Sequence, residues 1–178
     1  MTSATAATAR ETEHPSPPTI LCATDLSEPS RHALDAALEL SNTLGAACLH
    51  VLHVHESVER IDTVQHVVER WEERREKLRL QVEAEILHVN QERSAVPNLK
   101  VIAAIHSGKA YREILRYAVK ESVSWIVVGT HGRTGLGHVL GSVAERIVRH
   151  APCTVVVAKS PEVCARLAHT LETHHLPP

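Results

Sequence analysis

The sequence predicts an α/β domain built on a single open, doubly wound, five-stranded parallel sheet of order 3-2-1-4-5, with helices on both faces. Short apolar runs rich in β-branched residues alternate with longer amphipathic segments, which is the strand–helix order of such a fold. The runs are apolar throughout rather than alternating, as is typical of strands covered on both faces. A chain of 178 residues fits one such domain.

The first half of the domain contains two strand–helix units. Residues 19–24 are a short apolar run, and the polar stretch that follows offers Ser27 and Pro29 to cap and begin a helix. Gly45 is expected to end this helix. Residues 46–54 predict a second buried strand. Between residues 57 and 93, apolar positions recur every three or four residues, which predicts an amphipathic helix with a bend or irregular start before about residue 67.

The second half repeats the pattern, with predicted strands at 99–105, 125–129 and 154–158 and predicted helices at 109–121 and 141–150. The domain therefore extends over residues 19–159. Residues 1–18 are rich in Ala, Thr and Pro and predict a disordered arm. Residues 160–178 have a weak helical period and two terminal prolines, and they predict a frayed tail.

The composition excludes several functional classes. Lys and Arg (19) nearly balance Asp and Glu (21), so the chain lacks the basic footprint of a dedicated nucleic-acid binder. With no Phe, two Tyr and two Trp, a bound base would be held mostly by aliphatic groups. No run approaches the length of a membrane span, and no secretory signal is evident. The four cysteines have no metal or redox spacing and are interpreted as reduced thiols, so we expect a cytoplasmic protein.

The segment 129–142 is the main candidate for ligand binding. Four of the seven glycines in the chain lie between positions 129 and 137, after a predicted strand, and Gly141 and Ser142 open the next predicted helix. Glycines let backbone N–H groups turn toward a phosphate without interference from a Cβ. The helix N-terminus adds free N–H groups and a favourable dipole. Ser142 with Glu145 also fits a capping box, so a helix cap and a phosphate contact are both open for Ser142.

The glycine segment matches neither common nucleotide fingerprint, because the chain contains no P-loop motif and has no glycine after the first strand. It resembles the universal stress protein family, in which G-x-x-G, a short gap and G-[ST] mark the ATP-binding members. The similarity extends from about residue 19 to residue 159 and includes the 24–29 stretch, the 53–54 strand end and the 151–157 segment. Eight residues separate Gly132 from Gly141, one fewer than in the family pattern.

The resemblance implies an ATP site, with Mg²⁺ bound through the phosphates, and a homodimer. By matching position, Asp25 and Val54 would flank the adenosine, and the glycine segment would follow the ribose and phosphates. The candidate ligand-binding residues are Ala23, Thr24, Asp25, Val54, Val128, Gly129, His131, Gly132, Arg133, Gly135, Gly141, Ser142, Val143 and Ala144. The edge strand at 154–158 is the expected surface for subunit pairing, since an uncovered edge of valines invites association.

Several residues keep two interpretations. Asp25 could contact the ligand or cap the next helix, and Arg133 could bind phosphate or be a solvated surface arginine. Lys109 is a weaker candidate for a phosphate contact. His53 and His55 share a strand face at a spacing that metal ligands can have, but no third ligand is fixed by spacing, so we predict no metal site on the protein. His131 could polarise a water molecule or be a structural loop residue.

Three functions remain open from the sequence. The first is an ATP-binding stress regulator that acts through nucleotide-dependent conformation or association. The second is a slow ATPase, which needs a catalytic base that the sequence does not display. The third is a protein-interaction module that has lost ATP binding, which the shortened gap favours. Catalysis is the least supported of the three, and no catalytic residue is predicted.

Overall fold

The computed structural model describes residues 16–56, 64–92, 98–130 and 140–172. The strands in this part of the chain are β1 (Thr19–Thr24), β2 (Cys48–His55), β3 (Lys100–Ser107), β4 (Trp125–Gly129) and β5 (Thr154–Ala158). The helices are α1 (Glu28–Leu44), α2 (Val64–Glu92), α3 (Ala110–Lys120), α4 (Ser142–His150) and α5 (Pro161–Glu172). The last of these lies in the segment for which the sequence predicts a frayed tail with a weak helical period.

The strands form one sheet of order β3-β2-β1-β4-β5, and every neighbouring pair is parallel. The predicted fold class and strand order are thereby confirmed. In the register, Thr24 at the end of β1 lies opposite His53 of β2, and Ile20 lies opposite Trp125 of β4. The strand order reverses between β1 and β4, so the carboxyl ends of these two strands flank the point where open sheets of this kind bind ligands.

Two hydrophobic cores cover the two faces of the sheet. On one face, α1 and α2 pack through Leu34, Leu38 and Val82 against strand residues that include Ile20 and Val51. On the other face, the side chains that α3 and α4 contribute include Ile114, Tyr117 and Ile147, and the strands contribute Leu21, Leu52 and Ile126. Because each strand sends alternate residues into both cores, its sequence is apolar throughout. This layering brings the N-termini of α3 and α4 to the carboxyl edge of the sheet.

The ends of α1 follow the local signals in the sequence. Ser27 occupies the N-cap position, but the predicted capping by its side chain does not form, because its hydroxyl donates to Asp25 instead. Pro29 lies in the first turn, where its missing N–H costs no hydrogen bond. Gly45 ends the helix with φ 60°, a left-handed conformation that glycine adopts without a Cβ clash. The N–H of Ala46 then bonds to the carbonyl of Ser41 at 2.8 Å. Helix α2 begins at Val64, and residues 57–63 of the predicted helical segment lie outside the described residues.

Candidate functional site

A cavity of about 200 Å³ opens at the carboxyl edge of the sheet, beside the reversal of strand order between β1 and β4. The ends of three strands and the starts of three helices form its walls, as expected for a doubly wound sheet. The described residues that line it are Ala23, Thr24, Asp25, Ser30, Leu52, Val54, Ala110, Ile114, Val128, Gly129, Thr130, Gly141, Ser142, Val143 and Ala144.

Ten of the fourteen residues predicted from the sequence line this one cavity. They come from separate parts of the chain, namely the end of β1, the end of β2, the end of β4 and the start of α4. The other four, His131, Gly132, Arg133 and Gly135, lie outside the described residues. Lys109 is the N-cap of α3 and is exposed next to the lining residue Ala110, but it does not itself line the cavity.

Five lining residues are absent from the sequence-based prediction: Ser30, Leu52, Ala110, Ile114 and Thr130. A period-2 rule could have found Leu52, because it shares a strand face with Val54. Helical spacing links Ala110 to Ile114 one turn later, so these two residues share a face of α3. That this face closes the cavity becomes evident only once α3 is packed against the sheet, because local sequence carries no information on that packing.

The turn after β1 is held by two side chains that bond to the backbone. Asp25 Oδ1 accepts the N–H of Ser27 at 3.0 Å, and the Ser27 hydroxyl donates to the same oxygen. Thr24 Oγ1 accepts the N–H of Leu26 at 3.0 Å. Leu26 has φ 63°, a conformation that a bulky residue adopts only when its surroundings enforce it. Asp25 therefore shapes this turn and lines the cavity at the same time.

The two ends of segment 131–139 are held next to each other. The N–H of Gly141 donates to the carbonyl of Thr130 at 2.8 Å, and the N–H of Thr130 donates to the carbonyl of Ala158 at 3.1 Å. Both Thr130 and Gly141 line the cavity. Thr130 and Gly141 therefore lie at neighbouring points of the cavity wall, close to the carboxyl ends of β4 and β5.

The predicted capping box at Ser142 and Glu145 does not form. Gly141 is the N-cap of α4, no side chain caps the helix, and Ser142 is its first residue. The Glu145 carboxylate instead accepts a hydrogen bond from Arg149 at 2.9 Å, because an i,i+4 pair on the exposed helix surface is within reach. Ser142 therefore does not cap the helix, and it lines the cavity.

The N-termini of α3 and α4 reach the cavity in different states. At α3, the N–H of Ala110 already donates to Glu56 Oε1 at 2.9 Å, so a carboxylate occupies that position. At α4, the N–H groups of Ser142, Val143 and Ala144 have no acceptor among the described residues. Helix N-terminal N–H groups bind anions through their hydrogen bonds and the helix dipole. The start of α4 is therefore the better anion site of the two.

A group of cations lies between α3 and α4 beside the cavity. The Arg146 guanidinium lies 4.7 Å from the centre of the Tyr111 ring, and Arg112 Nε donates to the Tyr111 hydroxyl at 2.9 Å. The hydrogen bond from Arg112 lowers the pKa of Tyr111, and the nearby charges of Arg112, Arg146 and Lys109 lower it further. No carboxylate in the described part of the chain forms an ion pair with any of the three cations. The cluster around Tyr111 is therefore electropositive, and Lys109 in it adjoins the lining residue Ala110.

The walls are mostly aliphatic. Leu52, Ile114 and Val128 are buried, and the described lining residues include no aromatic side chain. Asp25 is the one ionisable side chain among them. A flat heterocycle in this cavity would be held by van der Waals contacts with branched aliphatic groups, with polar backbone groups at the strand ends fixing its orientation.

The two histidines considered as metal ligands have other contacts. His53 is buried, and its Nδ1 lies 3.0 Å from the carbonyl oxygen of Thr24. The His55 ring stacks on Trp71, and its Nε2 lies 3.1 Å from Arg74. Within the described ranges, no group of three or more His, Cys, Asp or Glu side chains is arranged to hold a metal ion. No helix in those ranges combines the length and apolarity needed to cross a bilayer.

The fold and the cavity together define a doubly wound α/β protein with a cavity at its topological switch point. Residues 18–159 match the family model described as the universal stress protein family. Universal stress protein YxiE of Bacillus subtilis is 32% identical over 145 residues, which cover 79% of this chain and 97% of that protein. The chain belongs to the universal stress protein family.

Solved structures agree with this assignment. The universal stress protein UspA from Lactobacillus plantarum is 25% identical, with a TM-score of 0.58 over 79% of this chain and 97% of that one. A universal stress protein solved in complex with cAMP is 17% identical, with a TM-score of 0.51 over 79% and 95% of the two chains. At that identity the second structure shows the shared fold alone.

Proposed function

We propose that this universal stress protein binds ATP in the cavity at the carboxyl edge of the sheet, with Mg²⁺ bridging the phosphates. The bound nucleotide controls conformation or association and thereby regulates a stress response. The observation that carries the proposal is that residues from β1, β2, β4 and α4, each a nucleotide contact by the family motif, line one cavity.

The nucleoside part of ATP suits the described walls. A cavity of about 200 Å³ lies below the roughly 300 Å³ at which complete small-molecule sites begin, so it suits the base and part of the ribose. Leu52, Val54 and Val128 offer an aliphatic surface for the adenine. Asp25 also lines the cavity, and its carboxylate could accept a hydrogen bond from a ribose hydroxyl.

The phosphates require positive charge and free N–H donors, and both lie on one side of the cavity. The N–H groups of Ser142, Val143 and Ala144 are available at the start of α4. Arg112 and Arg146 add two guanidinium groups between α3 and α4. The metal ion would be held by the phosphate oxygens, because the described lining residues supply Asp25 as their one carboxylate.

Binding without fast hydrolysis is the reaction class that the site supports. General-base catalysis needs an ionisable group within reach of the attacking water. Asp25 is the one candidate among the described lining residues, and its Oδ1 already accepts two hydrogen bonds from Ser27. We therefore prefer a regulatory ATP-binding protein to a slow ATPase. The interaction-module alternative rests on the gap between Gly132 and Gly141, which is one residue shorter than in the family pattern.

Two further features belong to the proposal. We place the protein in the cytoplasm, where its four free thiols would remain reduced. We also propose a homodimer that pairs through β5, because that strand is an edge of the sheet and consists largely of half-buried valines. A bound nucleotide could affect association through a direct contact, since the N–H of Thr130 at the cavity wall donates to the carbonyl of Ala158 on β5.

The test is a calorimetric titration of the full chain with ATP and Mg²⁺, with ADP, AMP, adenosine and cAMP as comparison ligands. Ala23→Leu should weaken ATP binding at least about tenfold, because the larger side chain extends into the cavity. The matched control is Ala103→Leu, a half-buried strand alanine that packs against the opposite core. ATP binding by the control and not by Ala23→Leu supports the proposal. A folded wild-type protein that binds none of the five ligands contradicts it.

A further inference from the structure

A buried carboxyl group connects α2 to the turn that carries Asp25. Glu85 lies on the inner face of α2 with 8% of its surface exposed, and its Oε2 is 3.4 Å from the hydroxyl oxygen of Thr24. Its other oxygen, Oε1, is buried and has no hydrogen-bond partner among the described residues. A carboxyl group in such a position requires an explanation, because burying an ionised carboxylate without partners is costly.

The hydrogen-bond partners of Thr24 indicate whether the Glu85 carboxyl is protonated. The Ser30 hydroxyl donates to the carbonyl of Ser27 at 2.8 Å, so its single proton is used there. The Thr24 and Ser30 hydroxyl oxygens are 2.9 Å apart, so the Thr24 proton lies between them. Thr24 then has no second proton to donate to Glu85. The remaining proton for the Thr24–Glu85 contact must come from Glu85 itself, as a neutral carboxylic acid.

The alternative, in which Thr24 donates to an ionised Glu85, places two acceptor oxygens against each other. If Thr24 donated to an ionised Glu85, the Ser30 proton would have to lie between Ser30 and Thr24. The Ser30 hydroxyl oxygen and the Ser27 carbonyl oxygen would then face each other at 2.8 Å as two acceptors. A bare carboxylate oxygen would also remain buried without a partner. The arrangement with a neutral Glu85 places one proton in each of the three O···O contacts, and the unpartnered Oε1 is then a neutral carbonyl oxygen rather than a carboxylate oxygen.

The surroundings of Glu85 favour the neutral acid. Burial raises the pKa of Glu85 and the charge of Asp25 raises it further, whereas the charge of Arg31, and a hydrogen bond that ionised Glu85 would accept from Thr24, lower it. Among the described residues, the titratable and charged groups near Glu85 come from four elements. They are Arg31 on α1, Cys22 on β1, Asp25 in the turn after β1, and His88 on α2; His53 on β2 contacts Thr24, the partner of Glu85. Burial is the largest of these influences.

We propose that Glu85 is a positioning residue for the nucleotide site: as a neutral acid it donates a hydrogen bond to Thr24 and so holds the Asp25–Leu26 turn. Thr24 in turn accepts the N–H of Leu26, whose φ of 63° needs such support. A second cavity of about 440 Å³, lined by Leu26, Arg31 and Glu85 among others, gives protons access to the carboxyl. This inference rests on the proposed nucleotide binding, which it makes dependent on pH.

The sign of this dependence follows from linkage. A carboxyl whose pKa is raised in the folded state stabilises the fold most at low pH, and this contribution is lost as pH rises from the ordinary value toward the raised pKa. ATP affinity should fall as pH rises through the raised pKa of the folded protein, because ionisation there removes the hydrogen bond to Thr24. We expect a decrease of about tenfold, which corresponds to the loss of one buried hydrogen bond.

The experiment combines a titration of Glu85 with ATP binding from about pH 3.5 to about pH 8, a window that brackets the ordinary glutamate pKa. Carboxyl ¹³C NMR of glutamate-labelled protein follows the group, and Glu85→Gln assigns its signal. We expect a midpoint above the ordinary value of 4.5. Glu85→Gln should bind ATP as the wild type does at low pH and show no decrease, because its amide can still donate to Thr24. Glu85→Ala should bind weakly at every pH.

Two further variants separate positioning from general damage. Glu83→Gln changes a partly exposed residue of the same helix, paired with Arg79, and should keep the wild-type pH profile. Thr24→Val removes the Thr24 contacts with Glu85, Ser30 and Leu26 together, so adding Glu85→Ala to it should weaken binding no further than Thr24→Val alone. A midpoint at or below 4.5, or a Glu85→Gln variant as weak as Glu85→Ala, would overturn the inference. If the wild type binds no nucleotide, the proposed function fails, and the midpoint alone decides the protonation of Glu85.

Discussion

The four cysteines differ in how far each thiol is removed from solvent. Cys22 on β1 is completely buried, Cys48 and Cys153 are partly buried, and Cys164 on α5 is exposed. Burial raises the pKa of the Cys22 thiol far above its ordinary range, and the nearby Glu85 raises it further. Because the thiolate is the reactive form, Cys22 should be inert in the folded protein.

Thiol labelling checks this directly. An alkylating reagent at neutral pH should modify Cys164 faster than the other cysteines. It should leave Cys22 unmodified until the protein unfolds. Peptide mass spectrometry after timed quenching gives the rate at each cysteine. Labelling of Cys22 at the rate of Cys164 in the native protein would contradict the packing of β1 beneath α1 and α2.

Single residues also mark the limit of what the sequence can predict. The motif identifies Asp25 as a site residue, but nothing in Asp25-Leu26-Ser27 indicates that Leu26 adopts a left-handed conformation. Charged residues in an amphipathic helix are expected at the surface, yet Glu85 lies on the buried face of α2 between Val82 and Val89. Both features depend on contacts between α2 and the β1–α1 turn, which no local pattern contains.

At the level of elements, Arg112 of α3 and Arg146 of α4 place two guanidinium groups around the Tyr111 ring, and we propose that they attract the outer phosphates. Replacing Arg112 or Arg146 with alanine should lower ATP affinity about 3- to 10-fold and change AMP affinity little, because these guanidinium groups can contact only the outer phosphates. The matched controls are Arg116→Ala and Arg149→Ala, on the same two helices but paired with Glu113 and Glu145. Calorimetry at two salt concentrations measures each effect.

Equal losses for ATP and AMP, or losses as large in the two controls, would contradict a phosphate role for the two arginines. The dependence on salt provides a second criterion. The difference between ATP and AMP affinity should shrink as ionic strength rises in the wild type, because exposed charges are screened over roughly 8 to 10 Å near physiological salt. In the Arg146→Ala variant that difference should respond less to salt.

Strands and helices follow the sequence closely, and their boundaries shift where tertiary contacts intervene. β4 and β5 have the predicted bounds, because each is a short run of apolar and β-branched residues. β3 continues to Ser107, two residues past its predicted end, because pairing with β2 extends to His55. β2 starts at Cys48 because Ala46 completes the turn that ends α1. The prediction of a capping box at Ser142 and Glu145 is wrong, because Glu145 pairs with Arg149 instead.

The sheet has two edge strands, β3 and β5, and β5 is the one that we propose for association. β5 pairs with β4 on one side, and its other side is an edge of the sheet. We expect a homodimer in solution, and Val156→Lys should shift it toward monomer, because a lysine on an edge strand opposes strand pairing. Val119→Lys, which changes an exposed valine on α3, should leave the association unchanged. Sedimentation equilibrium of the three proteins makes the comparison, and a monomeric wild type would contradict the proposed dimer.

The topology explains why the sequence predicts so much of the site. In a doubly wound sheet, the carboxyl ends of β1, β2 and β4 must meet at one edge, so ligand-binding motifs read separately along the chain predict neighbouring residues. The residues the prediction omits, such as Ser30 and Ile114, come from helices packed over that edge. Their contribution depends on the angle and depth of helix packing, which apolar periodicity does not specify.

The central claim is that the cavity at the carboxyl edge of the sheet binds ATP. The most direct measurement is the nucleotide released when freshly purified protein is denatured and the supernatant is separated by chromatography, for the wild type, Ala23→Leu and Ala103→Leu. We predict adenine nucleotide, mainly ATP, from the wild type and the Ala103→Leu control, and little from Ala23→Leu. Nucleotide released equally from all three folded proteins, or none from the wild type even after incubation with ATP and Mg²⁺, would contradict the claim.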